Sequence, residues 1–234
     1  MKKVMVIVFC YVCVLASIYT VNASSYLNQF GVNIEQSIYE KMSRYYDKEY
    51  IDIITKEQYE SIVSNDFENI VIISSDNEKV AKSSSELSTD YKTLKLIVNG
   101  NFVTASLNWK KQPKVKNYDV MAIRNDGNLN ISNISGYQIY GTNNSKINNF
   151  TTFSNGVGAS FKLQSNISKI YYSFNIKGNG NLFLSYQHAT TYNLSYTESK
   201  NYYLSQIGLG NVIKFNNSTT AGKYDNMSGI SYKV

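Results

Sequence analysis

The chain's one histidine, His188, is the residue whose chemistry most directly suggests catalysis. An imidazole titrates near neutral pH and could act as a general base. It would need an orienting carboxylate, for which Asp119 and Asp225 are candidates, and one of the many serines as the nucleophile. No Gly-x-Ser-x-Gly elbow is present to expose such a serine. His188 is therefore a weak catalytic candidate, and a hydrolase that uses it is an alternative rather than the main prediction.

The position of His188 in the sequence favours a structural role. It alternates with three residues that a strand would place on its apolar face, Leu182, Leu184 and Tyr186. The pattern predicts a half-buried histidine whose ring is hydrogen-bonded.

The acidic residues offer little material for catalysis or for metal binding. Glycoside hydrolysis needs two carboxylates that are close in space. Beyond residue 92 the acidic side chains are few, namely Asp119, Asp126, Glu198 and Asp225. The segment 126–130 lacks the spacing and the distal glutamate of a calcium loop, so it predicts a turn. We predict neither a metal nor a cofactor.

A group of lysines surrounds the only proline of the chain, Pro113, directly after the only tryptophan, Trp109. These lysines are Lys110, Lys111, Lys114 and Lys116. On a loop, their charge could hold a polyanion such as teichoic acid or an anionic lipid. The alternative is a solvated loop whose lysines discourage pairing of strand edges. Trp109 and the four lysines are our candidate ligand-binding residues.

Tyrosine is unusually common, with 21 residues. A tyrosine ring can stack on a sugar and contacts a partner at a low cost in side-chain entropy. Tyrosine is also a favoured strand residue, and it is encoded by A/T-rich codons, as are the abundant Asn, Ile and Lys. Tyr171, which we place on the polar face of its strand, is a further candidate for ligand contact.

The positive charge does not indicate a nucleic-acid-binding protein. The net charge is +6, but the chain has only two arginines, Arg44 and Arg124. Lysine cannot form the bidentate hydrogen bonds with which arginine reads bases and phosphates. We therefore predict no sequence-specific binding of nucleic acid.

Residues 1–23 are typical of an export signal. Two lysines precede a mostly apolar run over residues 4–18, and Ala23 ends a Val-Asn-Ala cleavage site. The run is shorter than the ~20 residues that span a bilayer, although an uncleaved N-terminal membrane anchor is the alternative. Cleavage after Ala23 predicts a secreted protein. It would remove both cysteines and exclude a disulfide-linked partner.

The rest of the chain divides into three parts. Residues 24–77 form a small α/β N-terminal region that ends with a short strand at 70–73. A polar linker follows over residues 78–92. Residues 93–234 form a β-rich domain. The mature chain, at roughly 211 residues, is long enough to fold by its core alone.

Two helices are predicted in the N-terminal region. Asn33 with Gln36 forms a capping-box pattern before an apolar stripe, and Thr55 with Gln58 forms a second one. Residues 50–54, between the two, have a β-like pattern.

The β-rich domain alternates apolar and polar residues with a period of two. The strands predicted in this way cover residues 94–98, 103–109, 118–124, 157–163, 170–176, 182–188, 192–196, 212–215 and 229–234. Turns are predicted at Asn99-Gly100, Asp126-Gly127 and the Gly178–Gly180 segment. The fold class is mainly β, an antiparallel β-sandwich preceded by a small α-rich N-terminal region.

Several short motifs lie between residues 93 and 234. They are Trp109-Lys110-x-x-Pro113, Tyr118-Asp119-Val120-x-Ala122-x-Arg124, Ser154-Asn-Gly-Val-Gly158, Ser185-Tyr-Gln-His-Ala189 and Tyr224-Asp-x-Met227. Through these motifs the chain resembles a group of small secreted proteins of Gram-positive bacteria with no established function. The resemblance implies export and a shared β-rich domain, and it implies no activity and no site residues.

Together these features favour a secreted, non-enzymatic binding protein that acts at a cell surface. Its partner would be a cell-wall polysaccharide, another anionic surface or a host protein. The amphipathic strands rich in Ser, Thr and Asn leave a membrane-active, pore-forming-like β protein as the alternative. A hydrolase that uses His188 is the second alternative.

Overall fold

The structure is a computed structural model and describes residues 24–75, 91–153, 155–204, 221–225, 227 and 229–234. The predicted export signal, the strand predicted at 212–215 and all but the last two residues of the predicted linker lie outside this description. The chain forms two compact units, which divide between Tyr59 and Glu60. Among the described residues, no helix combines the length and the apolar character that a bilayer crossing requires.

The first unit is a small mixed α/β structure. Strands β1 (Ser25–Leu27) and β2 (Asn33–Glu35) pair antiparallel. The helices are α1 (Gln36–Met42), α2 (Lys48–Ile51) and α3 (Lys56–Val63), and the last of these spans the division between the units. The Asn28 side chain fixes the β1–β2 loop, because its oxygen accepts hydrogen bonds from the backbone of Phe30 and Val32 at 2.9 Å.

One of the two predicted helix caps is confirmed. Thr55 N donates to Gln58 Oε1 at 2.8 Å, and Gln58 N donates to Thr55 Oγ1 at 3.3 Å, as a capping box requires. The other cap is wrong, because Asn33 lies in β2 and α1 begins without a side-chain cap. The β-like pattern at 50–54 is also wrong, since Lys48–Ile51 is helical.

The second unit contains an antiparallel β-sandwich, as predicted. Its strands are β3 (Val71–Ser74), β4 (Lys92–Asn99), β5 (Phe102–Trp109), β6 (Tyr118–Asn125), β7 (Asn130–Tyr140), β8 (Asn143–Lys146), β9 (Phe150–Phe153), β10 (Gly156–Lys162), β11 (Ile167–Lys177), β12 (Asn181–Gln187) and β13 (Ile230–Lys233). A six-stranded sheet has the order β3-β4-β5-β11-β7-β8, and a five-stranded sheet has the order β13-β12-β6-β10-β9. Strand β3 pairs with β4 and so extends the sandwich, although the sequence pattern placed residues 70–73 with the N-terminal region.

The core lies between the inner faces of the two sheets. The alternating apolar residues predicted to share a face do so, for example Leu94, Leu96 and Val98 of β4. Across the core, the buried Tyr172 hydroxyl donates to the carbonyl of Met121 at 3.2 Å, which joins the two sheets. All three predicted turns are present, and Gly100, Gly127 and Gly178 have positive φ angles.

Four segments of the second unit differ from their predicted structure: residues 192–196 and the strands β7, β8 and β9, which were not predicted. Residues 192–196, predicted as a strand, lead instead into helix α4 (Tyr196–Leu204). A capping box starts this helix, since Ser195 N donates to Glu198 Oε2 at 2.8 Å and Glu198 N donates to Ser195 Oγ at 3.2 Å. Strand β7 was not predicted, because its sequence is rich in Asn and Ser; pairing with β11 along most of its length holds it in place.

Candidate ligand-binding cleft

One end of the sandwich has polar side chains at positions that face the core. Lys92 opens β4 on the same face as Leu94, and Trp109, directly opposite it, closes β5. In the other sheet Asp119 stands at the start of β6 on the same face as Met121. The period of two thus brings side chains from both sheets together where the apolar core ends.

A cavity of about 290 Å³ opens at this end. Its lining residues are Tyr91, Lys92, Trp109, Gln112, Pro113, Lys114, Val115, His188, Thr190 and Asp225. We call this cavity the cleft. Most of its wall comes from the ends of β4, β5 and β12 and from the lysine-bearing loop that follows β5.

Asp119 and His188 form a buried pair on the inner side of the cleft. The His188 Nδ1 atom lies 2.9 Å from one Asp119 oxygen and 3.1 Å from the other. Asp119 is fully buried, and it also accepts hydrogen bonds from the Tyr186 hydroxyl and, at 2.8 Å, from Ala189 N. The His188 side chain is 12% exposed, so the prediction of a half-buried, hydrogen-bonded histidine is confirmed.

The charges around His188 set its protonation state. Burial alone would lower the pKa of His188, but the charge and hydrogen bond of Asp119, helped by the charge of Asp225, outweigh it and raise that pKa above 6.5. Burial and the neighbouring Asp119 also raise the pKa of the Tyr186 hydroxyl well above its ordinary value. His188 is therefore held towards its protonated form, while Tyr186 stays a neutral hydrogen-bond donor to Asp119.

A second ion pair lies in the wall of the cleft. Lys92 Nζ contacts Asp225 Oδ2, and the side chains are only 3% and 5% exposed. The other Asp225 oxygen accepts a hydrogen bond from His188 N at 2.9 Å. Trp109 packs against both pairs: its ring centre is 5.2 Å from Lys92 Nζ and 4.9 Å from the His188 ring centre. Lys92 and Asp225 neutralise each other, so they add no net charge to the cleft.

The rim of the cleft combines exposed lysines with exposed tyrosines. Lys111 and Lys114 are exposed, and Lys111 Nζ lies 4.7 Å from the centre of the Tyr91 ring. Tyr91 itself is 46% exposed. On the other side, Tyr192 is 73% exposed, and its hydroxyl donates a hydrogen bond to the Lys114 carbonyl oxygen at 3.0 Å. We call the loop 110–116, together with these two tyrosines, the rim.

The structure brings most of the predicted binding residues to this end of the sandwich. Trp109 and Lys114 line the cleft, and Lys110 and Lys111 are exposed on the rim. Lys116 is half-buried and does not line the cleft.

The prediction of a ligand contact at Tyr171 is wrong. Its side chain is only 3% exposed, and its cross-strand neighbours are Ser106 and Tyr137. The polar face that carries Tyr171 is itself covered, since Ser106 and Ser173 are buried as well. Polar neighbours on a strand therefore did not indicate a solvent-exposed face.

The residues of the site that the sequence prediction missed include Tyr91, Lys92, Thr190 and Tyr192. The first two fell in the predicted linker and the last two in or beside a predicted strand. The sequence does contain a signal for Lys92. It lies two residues before Leu94 and therefore continues the alternation of Leu94 and Leu96 on one face of the strand. Nothing in the sequence pairs it with Asp225.

The described residues contain no group of three or more His, Cys, Asp or Glu side chains that could hold a metal ion. The segment 126–130 is a turn, in which Asp126 accepts hydrogen bonds from the backbone and side chain of Asn181 at 2.6 and 3.0 Å. The cleft residues offer a titratable imidazole at His188, lysine charges and aromatic rings for recognition.

No family model matches this chain, and no curated protein shows significant similarity to it. A solved structure similar to part of the chain is the KRT10-binding region domain of the pneumococcal serine-rich repeat protein PsrP. The two are 12% identical with a TM-score of 0.32, over 56% of this chain and 92% of that chain.

Proposed function

We propose that this protein is exported and binds an anionic polysaccharide of the cell wall through the cleft and its rim. The observation that carries the proposal is the rim itself, where Lys111 and Lys114 stand beside Tyr91 and Tyr192 at the mouth of a cavity. Lysines attract phosphate or carboxylate groups, and exposed aromatic rings stack on sugars. An anionic glycan carries both kinds of group.

The charge balance of the cleft supports an anionic ligand. Asp119 is paired with His188, and Asp225 is paired with Lys92, so each buried carboxylate already faces a cation. Asp225 is the one acidic residue among the described residues that line the cleft, and it faces Lys92. Lys111 and Lys114 are exposed and add positive charge at the mouth of the cleft.

Co-sedimentation with purified Gram-positive cell walls tests this function. Residues 24–234, the predicted mature chain, should pellet with intact walls and remain in the supernatant with walls whose anionic polymers have been removed. Binding should weaken as salt is added, because the ion contacts lie at an exposed rim. Pelleting that is unchanged on stripped walls would contradict the proposal.

A matched pair of variants locates the binding surface. Lys111→Gln/Lys114→Gln removes two charges from the rim, and Lys177→Gln/Lys233→Gln removes two exposed charges from the ends of β11 and β13. Only the first variant should lose affinity, by about tenfold or more if each lysine contributes about 1 kcal/mol. Anionic vesicles form a separate arm, and pelleting with vesicles alone would favour a membrane partner over a wall polymer.

A second function is favoured by the geometry of Asp119 and His188. An aspartate that holds Nδ1 of a histidine at 2.9 Å is the arrangement that orients a general base. In the part of the chain that the structure describes, no hydroxyl side chain is hydrogen-bonded to His188, so the base would activate a water molecule or a hydroxyl of the substrate. Hydrolysis of ester or phosphodiester substrates that is lost in His188→Ala would support it, and activity that persists in this variant would exclude it.

A further inference from the structure

We propose that Lys92 and Asp225 react with each other to form an intramolecular amide bond between Nζ and Cγ, which locks β4 to the segment that leads into β13. This modification is independent of the proposed binding function, which depends on the rim. It would supply a covalent tie in a mature chain from which both cysteines are predicted to be absent.

The two side chains meet the geometric requirement for such a reaction. Lys92 Nζ contacts the Asp225 carboxylate directly, across a separation of 133 residues along the chain. Both side chains are almost completely buried, so the contact is held by the fold and is not a passing surface encounter. Two reactive groups fixed in contact have a very high effective concentration, which lets a slow bimolecular reaction proceed within one molecule.

The reaction needs the uncharged forms of both groups. A buried ion pair is costly, and transfer of one proton from the Lys92 ammonium to the Asp225 carboxylate gives a neutral amine and a neutral acid. Burial raises the pKa of Asp225 in spite of the opposing charge of Lys92, which favours this transfer.

The reaction then balances without any co-reactant. The Lys92 amine attacks Cγ of the Asp225 acid, and negative charge develops on Oδ1. This oxygen already accepts a hydrogen bond from His188 N at 2.9 Å, which is the position of an oxyanion-stabilising donor. One proton moves from Nζ to Oδ2, and Oδ2 leaves as water. The product is a secondary amide, and nothing is oxidised or reduced.

Intact mass spectrometry of residues 24–234 under denaturing conditions tests the proposal. The protein should be lighter than its sequence by the mass of one water molecule. After trypsin, a peptide that contains an uncleaved Lys92 should be joined to the peptide that contains Asp225. A mass equal to that of the sequence would overturn the proposal, and this result does not depend on any variant folding.

Variants exclude other sources of water loss. Asp126-Gly127 could lose water by forming a succinimide, but that loss would persist in Lys92→Arg, whose guanidinium is not a comparable nucleophile. We expect Lys92→Arg and Asp225→Ala to have the full mass of their sequences. Asp225→Asn should lose ammonia instead of water and give the same amide as the wild type. Water loss that survives Lys92→Arg would contradict the assignment.

Discussion

Strand β6 has an aspartate at each end, and the two carboxylates differ in every property that matters for function. Asp119 is fully buried and faces His188, Tyr186 and a backbone amide. Asp126 lies in an exposed turn and accepts hydrogen bonds from Asn181. These hydrogen bonds lower the pKa of Asp126, so it stays ionised and only closes the turn. The cleft end, in contrast, concentrates groups that titrate, react or bind.

The comparison shows that an acidic residue in a strand pattern is not informative by itself. At one end, the Asp126 carboxylate accepts hydrogen bonds from neutral amide groups that fix a turn. At the other end, the Asp119 carboxylate contacts a titratable histidine beside a cavity. The first arrangement serves the fold, and the second can also serve a ligand.

Lys92→Arg should produce the largest loss of stability at the cleft end. The cross-link closes a loop of about 133 residues, and by loop-closure entropy its loss costs about 5 kcal/mol. In a domain of this size that corresponds to a fall in Tm of about 10–20 °C, measured by calorimetry. Lys177→Arg, on an exposed site, is the control and should leave Tm unchanged. Equal Tm values for both variants and the wild type would contradict a covalent tie.

Asp119→Ala should cost about 3–5 kcal/mol in the free energy of unfolding, because it leaves a buried imidazolium and two buried donors without an acceptor. Urea denaturation measures this change. Asp126→Ala, at the other end of the same strand, should cost less than about 1 kcal/mol, because water can replace the carboxylate in the exposed turn. Similar losses at the two ends would remove the distinction between them.

The stability of the protein should fall as pH rises through the pKa of His188 in the folded state. Burial lowers that pKa, but the charge and hydrogen bond of Asp119 outweigh burial and raise it above the unfolded value of about 6.5. The stability that the charged Asp119–His188 pair contributes is thus fully present below about pH 6.5. It is lost as the pH rises through the pKa of His188 in the folded state. Urea midpoints from about pH 5.5 to 9 measure it, and His188→Gln should remove this part of the pH dependence.

The sequence predicted the sandwich because alternation marks the apolar strands, such as the face of Leu94, Leu96 and Val98. It could also have predicted that Lys92 faces the core, since Lys92 is the next residue of that pattern. It could not predict strand β7, which is polar and is held in place by pairing with β11 rather than by its own residues.

The candidate site was predictable only in part, because some of its contacts join residues that are far apart in the sequence. The lysine loop and Trp109 are adjacent in sequence and could be found by composition. The pairs Asp119–His188 and Lys92–Asp225 join residues 69 and 133 positions apart. The pairing of β6 with β12 within one sheet brings the first pair together, and the packing of the two sheets brings Lys92 of β4 to Asp225. Tyr171 was predicted to be accessible and is buried. Neither its residue type nor its position on the polar face of the strand indicates this burial.

The most direct test of the central claim uses the fact that Trp109 and His188 are the only residues of their types in the chain, and that both line the cleft. Soluble fragments of an anionic wall polymer can be titrated while Trp109 fluorescence and the His188 imidazole NMR signals are followed. We expect both signals to change along one binding curve, and the curve to weaken in Lys111→Gln/Lys114→Gln but not in Lys177→Gln/Lys233→Gln. Binding that leaves both signals unchanged would place the ligand elsewhere and contradict the assignment of the cleft.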